Sequence, residues 1–179
     1  MTEEQKKFLH DQIAEILELP LNKVIWAYQN LMARQTPPYV LLRLFGMKAE
    51  GQEEIRDTEN DDVKKIFVSQ AVILEVQYFA GTKITIDPTR ELEKLLRQLE
   101  NPEVVEKFFL NKIAVFDHEE IQDLTTLIDS QTYEYRALVE LRVRFNSIIE
   151  SKLGAIEKVK IEGAVENSAV PLNFEIEGD

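Results

Sequence analysis

The sequence predicts an α+β domain in which helices pack on a mainly antiparallel sheet of about four to five strands. Three observations carry that expectation. Apolar residues recur at helical spacing near the start of the chain and again after residue 87. Other stretches sort apolar from polar residues with period two, the longest at residues 133–145. Finally, the order is helix, strands, helices, strands, without the strict alternation of strand and helix that a parallel sheet requires.

The first helix opens with Thr2 and Gln5 in capping-box spacing, and Leu9, Ile13, Ile16 and Leu17 then share one face until Leu19-Pro20. Residues 23–28 (KVIWAY) are short and rich in β-branched and aromatic side chains, which predicts a strand with Trp26 in the core. After Thr36-Pro37-Pro38, residues 39–45 read as a second strand with Val40, Leu42 and Leu44 on one side. Residues 67–80 read as a long strand, placing Val68, Val72, Leu74, Val76 and Tyr78 opposite Ser69, Glu75 and Gln77. Between those two strands, residues 48–62 hold Gly51 and few apolar residues and are expected to form a protruding loop or ribbon.

Asp87-Pro88 and Asn101-Pro102 each set a capping side chain before a proline at the first helical position. Leu92, Leu95, Leu96 and Leu99 form the stripe of one helix, and Val104, Val105, Phe108 and Phe109 that of the next, both expected to lie on the sheet. Residues 113–116 fit a short strand. Ile121, Leu124 and Ile128 mark a third helix of two or three turns after the strands.

The most specific pattern is YEYRALVELRVRF at residues 133–145, within a long strand near 132–147. Tyr133, Tyr135, Ala137, Val139, Leu141, Val143 and Phe145 alternate with Glu134, Arg136, Leu138, Glu140, Arg142 and Arg144. Only a strand sorts residues in this way, and at about 3.3 Å per residue it would run roughly 40 Å. Glu134, Arg136, Glu140, Arg142 and Arg144 give it a face of alternating sign that can meet a copy of itself or a neighbour. A last strand, residues 156–165, separates Val159, Ile161 and Val165 from Lys158, Lys160 and Glu162. The expected organisation is one domain over 1–165 and an extended acidic tail over 166–179.

With 179 residues, 44% of them hydrophobic, the chain can bury a real core. No apolar stretch approaches the 18 residues of a membrane span, and Met1-Thr2-Glu3-Glu4 is too acidic and polar for a signal peptide, so a protein drawn from a cytosolic pool is expected. The absence of cysteine removes disulfides, thiolate nucleophiles, iron-sulfur clusters and cysteine-ligated zinc. The net charge is −12, and two segments carry almost all of it. Residues 49–62 hold Glu50, Glu53, Glu54, Asp57, Glu59, Asp61 and Asp62 against Arg56 alone, while residues 162–179 hold five acids and no base. A nucleic-acid reader is disfavoured, because phosphate binding needs clustered Lys and Arg. The plainest role of the acidic segments is to keep the protein soluble.

A search for chemistry finds little. Gly46 and Gly51 have phosphate-loop spacing, yet Gln52-Glu53 stand where Lys and Ser or Thr must follow. Asp57, Glu59 and Asp61 begin like a calcium loop, but Asp62 replaces its glycine and Val68 its bidentate Glu. Asp117-His118-Glu119-Glu120 are neighbours that point in different directions and suit an acidic helix start better than a metal. No nucleophile elbow surrounds Ser69, Ser130, Ser147, Ser151 or Ser168, and His10 sits on the first helix as a surface residue. No catalytic, cofactor or metal residue is therefore assigned.

Pro37-Pro38-Tyr39-Val40-Leu41-Leu42, the strand YEYRALVELRVRF and the closing Gly154-Ala155-Ile156-Glu157-Lys158-Val159-Lys160-Ile161-Glu162-Gly163 together resemble the phage neck or tail terminator family, over roughly residues 8–165. The resemblance implies a non-enzymatic virion protein, assembled in the host cytoplasm, that forms a hexameric ring. Such a ring caps the tail tube, stops its polymerisation and joins it to the head-side connector while letting DNA pass, in a contractile rather than a flexible tail. Its implied partners are other copies of itself, the tail tube protein, the sheath, and the connector or neck protein, with no specific DNA binding and no membrane. The acids of 49–62 are then candidates for a contact arm or the lumen. Two other classes stand beside this one: a monomeric or dimeric adaptor that binds one partner through 49–62, and a small hydrolase built on a carboxylate pair.

Overall fold

The computed structural model describes residues 1–28, 35–52, 54–57, 63–82, 85–129, 131–152, 158–164 and 171–177, with side chains described up to residue 148 except at 57 and 63. The chain forms two compact units, one of Met1–Glu53 with Val68–Ser147 and the other of Glu54–Phe67 with Ile148–Asp179.

Helix α1 (Glu3–Ile16) begins as its capping box dictates: the Gln5 amide donates to the Thr2 hydroxyl at 3.2 Å and the Thr2 amide donates to the Gln5 side chain at 3.0 Å. A 3₁₀ turn at Leu21–Lys23 leads into β1 (Val24–Trp26), which pairs in parallel with β2 (Tyr39–Ala49). Trp26 packs against the core but stays half-buried, because β1 is the end strand of the sheet. β2 runs antiparallel to β4 (Val63–Gly81), with a register shift between Phe45 and Lys48. Gly46 turns the chain there at φ 65°, a conformation that a side chain strains to adopt. Gly81 ends β4 at φ 94°, where a Cβ would stand 2.9 Å from the Pro37 ring.

Helices α2 (Pro88–Leu99) and α3 (Pro102–Leu110) start where their caps lie: Asp87 accepts from the Thr89 amide at 3.0 Å and Asn101 from the Glu103 amide at 3.1 Å. The chain then returns along the long strand β8 (Tyr133–Lys152) as three pieces, β5 (Ile113–His118), β6 (Gln122–Asp123) and β7 (Thr126–Leu127), all antiparallel to it. The sheet path is β1-β2-β4-β8-β5, and β3 (Glu54–Asp57) pairs with the start of β4. β9 (Lys158–Ala164) and β10 (Pro171–Glu177) form a separate two-stranded antiparallel sheet.

This is the α+β arrangement expected: among the described residues the main sheet has five strands on its path and eight in all. The core gathers Leu9 and Ile13 of α1, Leu92 and Leu95 of α2, Phe108 of α3, and inward residues of β2, β4 and β8. Ala137, Val139, Leu141, Val143 and Phe145 are all at most 2% exposed, so the alternation of residues 133–145 reports the register correctly from Ala137 onward.

Two expectations are corrected. Residues 121–128 contain no helix and carry β6 and β7. Eight residues gain little from an isolated helix, whereas β8 offers a ready ladder, and the Asp123 carboxylate turns the chain by accepting from the Thr125 amide at 2.8 Å. The stripe of α3 splits, with Val104 and Phe108 buried while Val105 and Phe109 face solvent. The segment 48–62, expected as a loop or ribbon, includes the end of β2 and all of β3 and is ribbon at residues 54–57.

Candidate assembly surface

The charged residues of β8 lie on the sheet face opposite to that covered by α1, α2 and α3. Glu134 is buried at 6% exposure, at a register position facing Thr126. Arg136 is held inward, its Nε donating to the Leu124 carbonyl at 2.8 Å and its guanidinium lying 5.9 Å from the Phe79 ring. Glu140 is half-buried, and its carbonyl accepts from the Glu119 amide. Arg142 and Arg144 reach the surface. Arg142 Nη2 meets Glu119 at 2.8 Å and Nη1 approaches Asp117 at 3.4 Å. Arg144 grips one oxygen of Glu50 through Nε at 3.0 Å and Nη2 at 2.8 Å, and stacks 4.6 Å over Phe116.

Two acids of the segment 49–62 are also paired within the chain. Arg144 holds the Glu50 carboxylate below its ordinary pKa, with Lys48 adding to the effect. Arg56 does the same for Glu54 through bonds of 2.8 and 3.1 Å. Asp57 stands opposite Lys64 in the β3–β4 register. Glu53, Glu59, Asp61 and Asp62 lie outside the described residues. The sequence shows the sign of each charge, but it takes the fold to show that Arg142 and Arg144 of β8 and Arg56 of β3 serve acids of the same chain.

Farther along this face, Arg43 of β2 faces Glu75 of β4 in register and bonds to it, while its guanidinium stacks 4.7 Å over Phe45. Hydrogen bonds to Tyr28 and Glu75 raise the Arg43 pKa still further. Tyr39 and Phe79 stack with ring centres 4.5 Å apart. A cavity of about 260 Å³ opens between Gly46, Ile73 and Phe116, with Lys48, Glu50 and Arg142 also lining it.

The features that the sequence reading missed are apolar. Val105, Phe109 and Leu110 on α3 are 51%, 78% and 70% exposed. At the β7–β8 end Leu127, Ile128 and Tyr133 are each about half exposed. Their signal was present for α3, since a nine-residue helix with five large apolar residues has more than one face can bury. Single exposed apolar residues are ordinary, but neighbouring ones mark contact surfaces.

His10, on α1, bridges the Asp11 carboxylate at 2.8 Å and the Val24 carbonyl at 2.7 Å, tying the helix to β1. Among the described residues no group of three or more His, Asp or Glu converges on a metal position, and no helix is long and apolar enough to cross a membrane. No curated protein matches the chain. A family model described as phage neck terminator protein matches residues 7–168, which takes in both long strands, α2, α3 and most of α1. The chain therefore belongs to the phage neck terminator protein family, a family of structural proteins of the virion neck.

Proposed function

We propose that the protein acts as a ring, a hexamer in register with the tail tube, that caps the tube, stops its growth and joins it to the head-side connector while leaving a passage for DNA. The observation that carries this reading is the family match over 7–168. The surface is consistent with it. Among the described residues, the β5–β7 edge of the sheet is a poor template for edge-to-edge growth, because it is broken by a register shift at Val115/Asp117 and by the turn at Asp123. Contacts through faces and apolar patches are the alternative, and those are available on α3, at the β7–β8 end and around Phe116.

Charge gives the ring a second property. Six copies would carry a formal charge of −72, and carboxylates lining a channel repel the phosphates of passing duplex. A contractile tail, with the sheath as an outer contact, completes the proposal. The test is the mass in solution by light scattering, alone and with purified tail tubes, followed by negative-stain imaging. Six-fold rings, free or on tube ends, are expected. A chain that stays monomeric and ignores tubes would overturn the proposal and favour an adaptor working through residues 49–62.

A further inference from the structure

The antiparallel register of β9 and β10 sets Val159 opposite Ile176, Ile161 opposite Phe174 and Gly163 opposite Leu172. Directly opposed positions lie on one face of a sheet, and the positions between them lie on the other. On that other face Lys158 stands opposite Glu177 and Lys160 opposite Glu175. The hairpin is thus two-sided, with five large apolar residues at the positions of one face and opposite charges in register on the other. A two-stranded sheet is marginal in water until its apolar face is covered, and a helix is a standard cover. On α3, the residues Val105, Phe109 and Leu110 present an apolar surface that is exposed among the described residues.

We infer that the β9–β10 hairpin is an arm that packs on α3 of a second copy of this chain. This rests on the reading that copies assemble. A closed ring is built from a heterologous contact, in which each copy contributes two different patches, one to each neighbour. The apolar faces of α3 and of the hairpin supply such a pair, and both are present in every copy.

The absence of cysteine makes the test direct. Phe109→Cys and Phe174→Cys are placed in separately tagged full-length chains, which are mixed under assembling conditions and mildly oxidised. A Tyr28→Cys chain, altered at the opposite end of the sheet from β5, serves as control partner for Phe174→Cys. The arm predicts disulfide-linked pairs of differently tagged chains at least ten-fold above the control. Phe109→Asp, at a position 78% exposed, is expected to leave the circular dichroism spectrum unchanged and to weaken assembly at least ten-fold.

Cross-linking no better than the control overturns the arm. So does a disulfide that forms only within one chain carrying both substitutions, which would mean that the hairpin covers its own α3. Light scattering separates the two ideas: rings without the cross-link leave the ring reading standing and remove the arm, whereas neither rings nor cross-link removes both.

Discussion

Val139 is fully buried at the centre of β8, with Leu141 and Val143 beside it on the same face. Val139→Asp places a carboxylate there with no cation to meet it, and an unpaired buried charge costs about 3–5 kcal/mol. The domain is expected to lose its cooperative urea transition, and a stable Val139→Asp protein would refute the register. Tyr78 supplies a subtler test. It is 2% exposed, and burial, with Glu91 adding to it, pushes its phenol up to about 12 from an ordinary 10. The folded state therefore holds this proton more tightly than the unfolded state. Its contribution is complete below pH 10 and is lost as pH rises from 10 to 12. Tyr78→Phe carries no such proton. Its stability relative to the natural protein should stay constant from pH 7 to 9 and move in its favour by up to about 2 kcal/mol above pH 10. Parallel denaturant titrations across that range check it, and a difference independent of pH would mean that the phenolate is solvated.

At the scale of the element, β8 shows what a strand can be asked to do. Its even-numbered face keeps Arg142 and Arg144 about half exposed, each tied to an acid of the same chain. Exposed pairs of this kind contribute roughly 0–1 kcal/mol each. Replacing both arginines with Glu is expected to lower stability by no more than about 2 kcal/mol while weakening assembly, if this face meets a neighbour. A native melting curve with undiminished ring formation would remove β8 from the interface. Such charges were legible in the sequence, and so was the strand, because thirteen alternating residues admit one periodicity. The partners of the charges were not legible, since Glu50 and Arg144 are 94 residues apart and only the fold brings them together. Residues 121–128 were misread for a related reason. Ile121, Leu124 and Ile128 fit a helical face locally, but the ladder to β8 is non-local and wins. The helix starts at Asp87 and Asn101 were readable because a cap is local chemistry, and Asp87→Ala should cost about 1 kcal/mol in a thermal or urea melt.

At the scale of the whole molecule, the buried core and the acidic ends are separate in sequence. The clustered core residues run from Leu9 to Phe145, all within the unit of Met1–Glu53 and Val68–Ser147. The most acidic stretches, 49–62 and 162–179, fall largely in the other unit. Substitutions in the core therefore bear on the folded body, whereas the acidic segments lie apart from it in sequence. Truncation after residue 165 tests this division, because it removes β10 and four of the five acids of the tail while leaving every clustered core residue in place. The main unfolding transition should then shift by less than about 0.5 kcal/mol, as substitutions remote from a core do. Assembly measured by light scattering should fall at least ten-fold, because β9 without β10 can no longer present a two-stranded face. A truncated chain that forms rings as the natural one does would make the tail a solubilising extension. One whose main transition collapses would instead show that the tail supports the fold, and its acids would have to be explained as part of that stability.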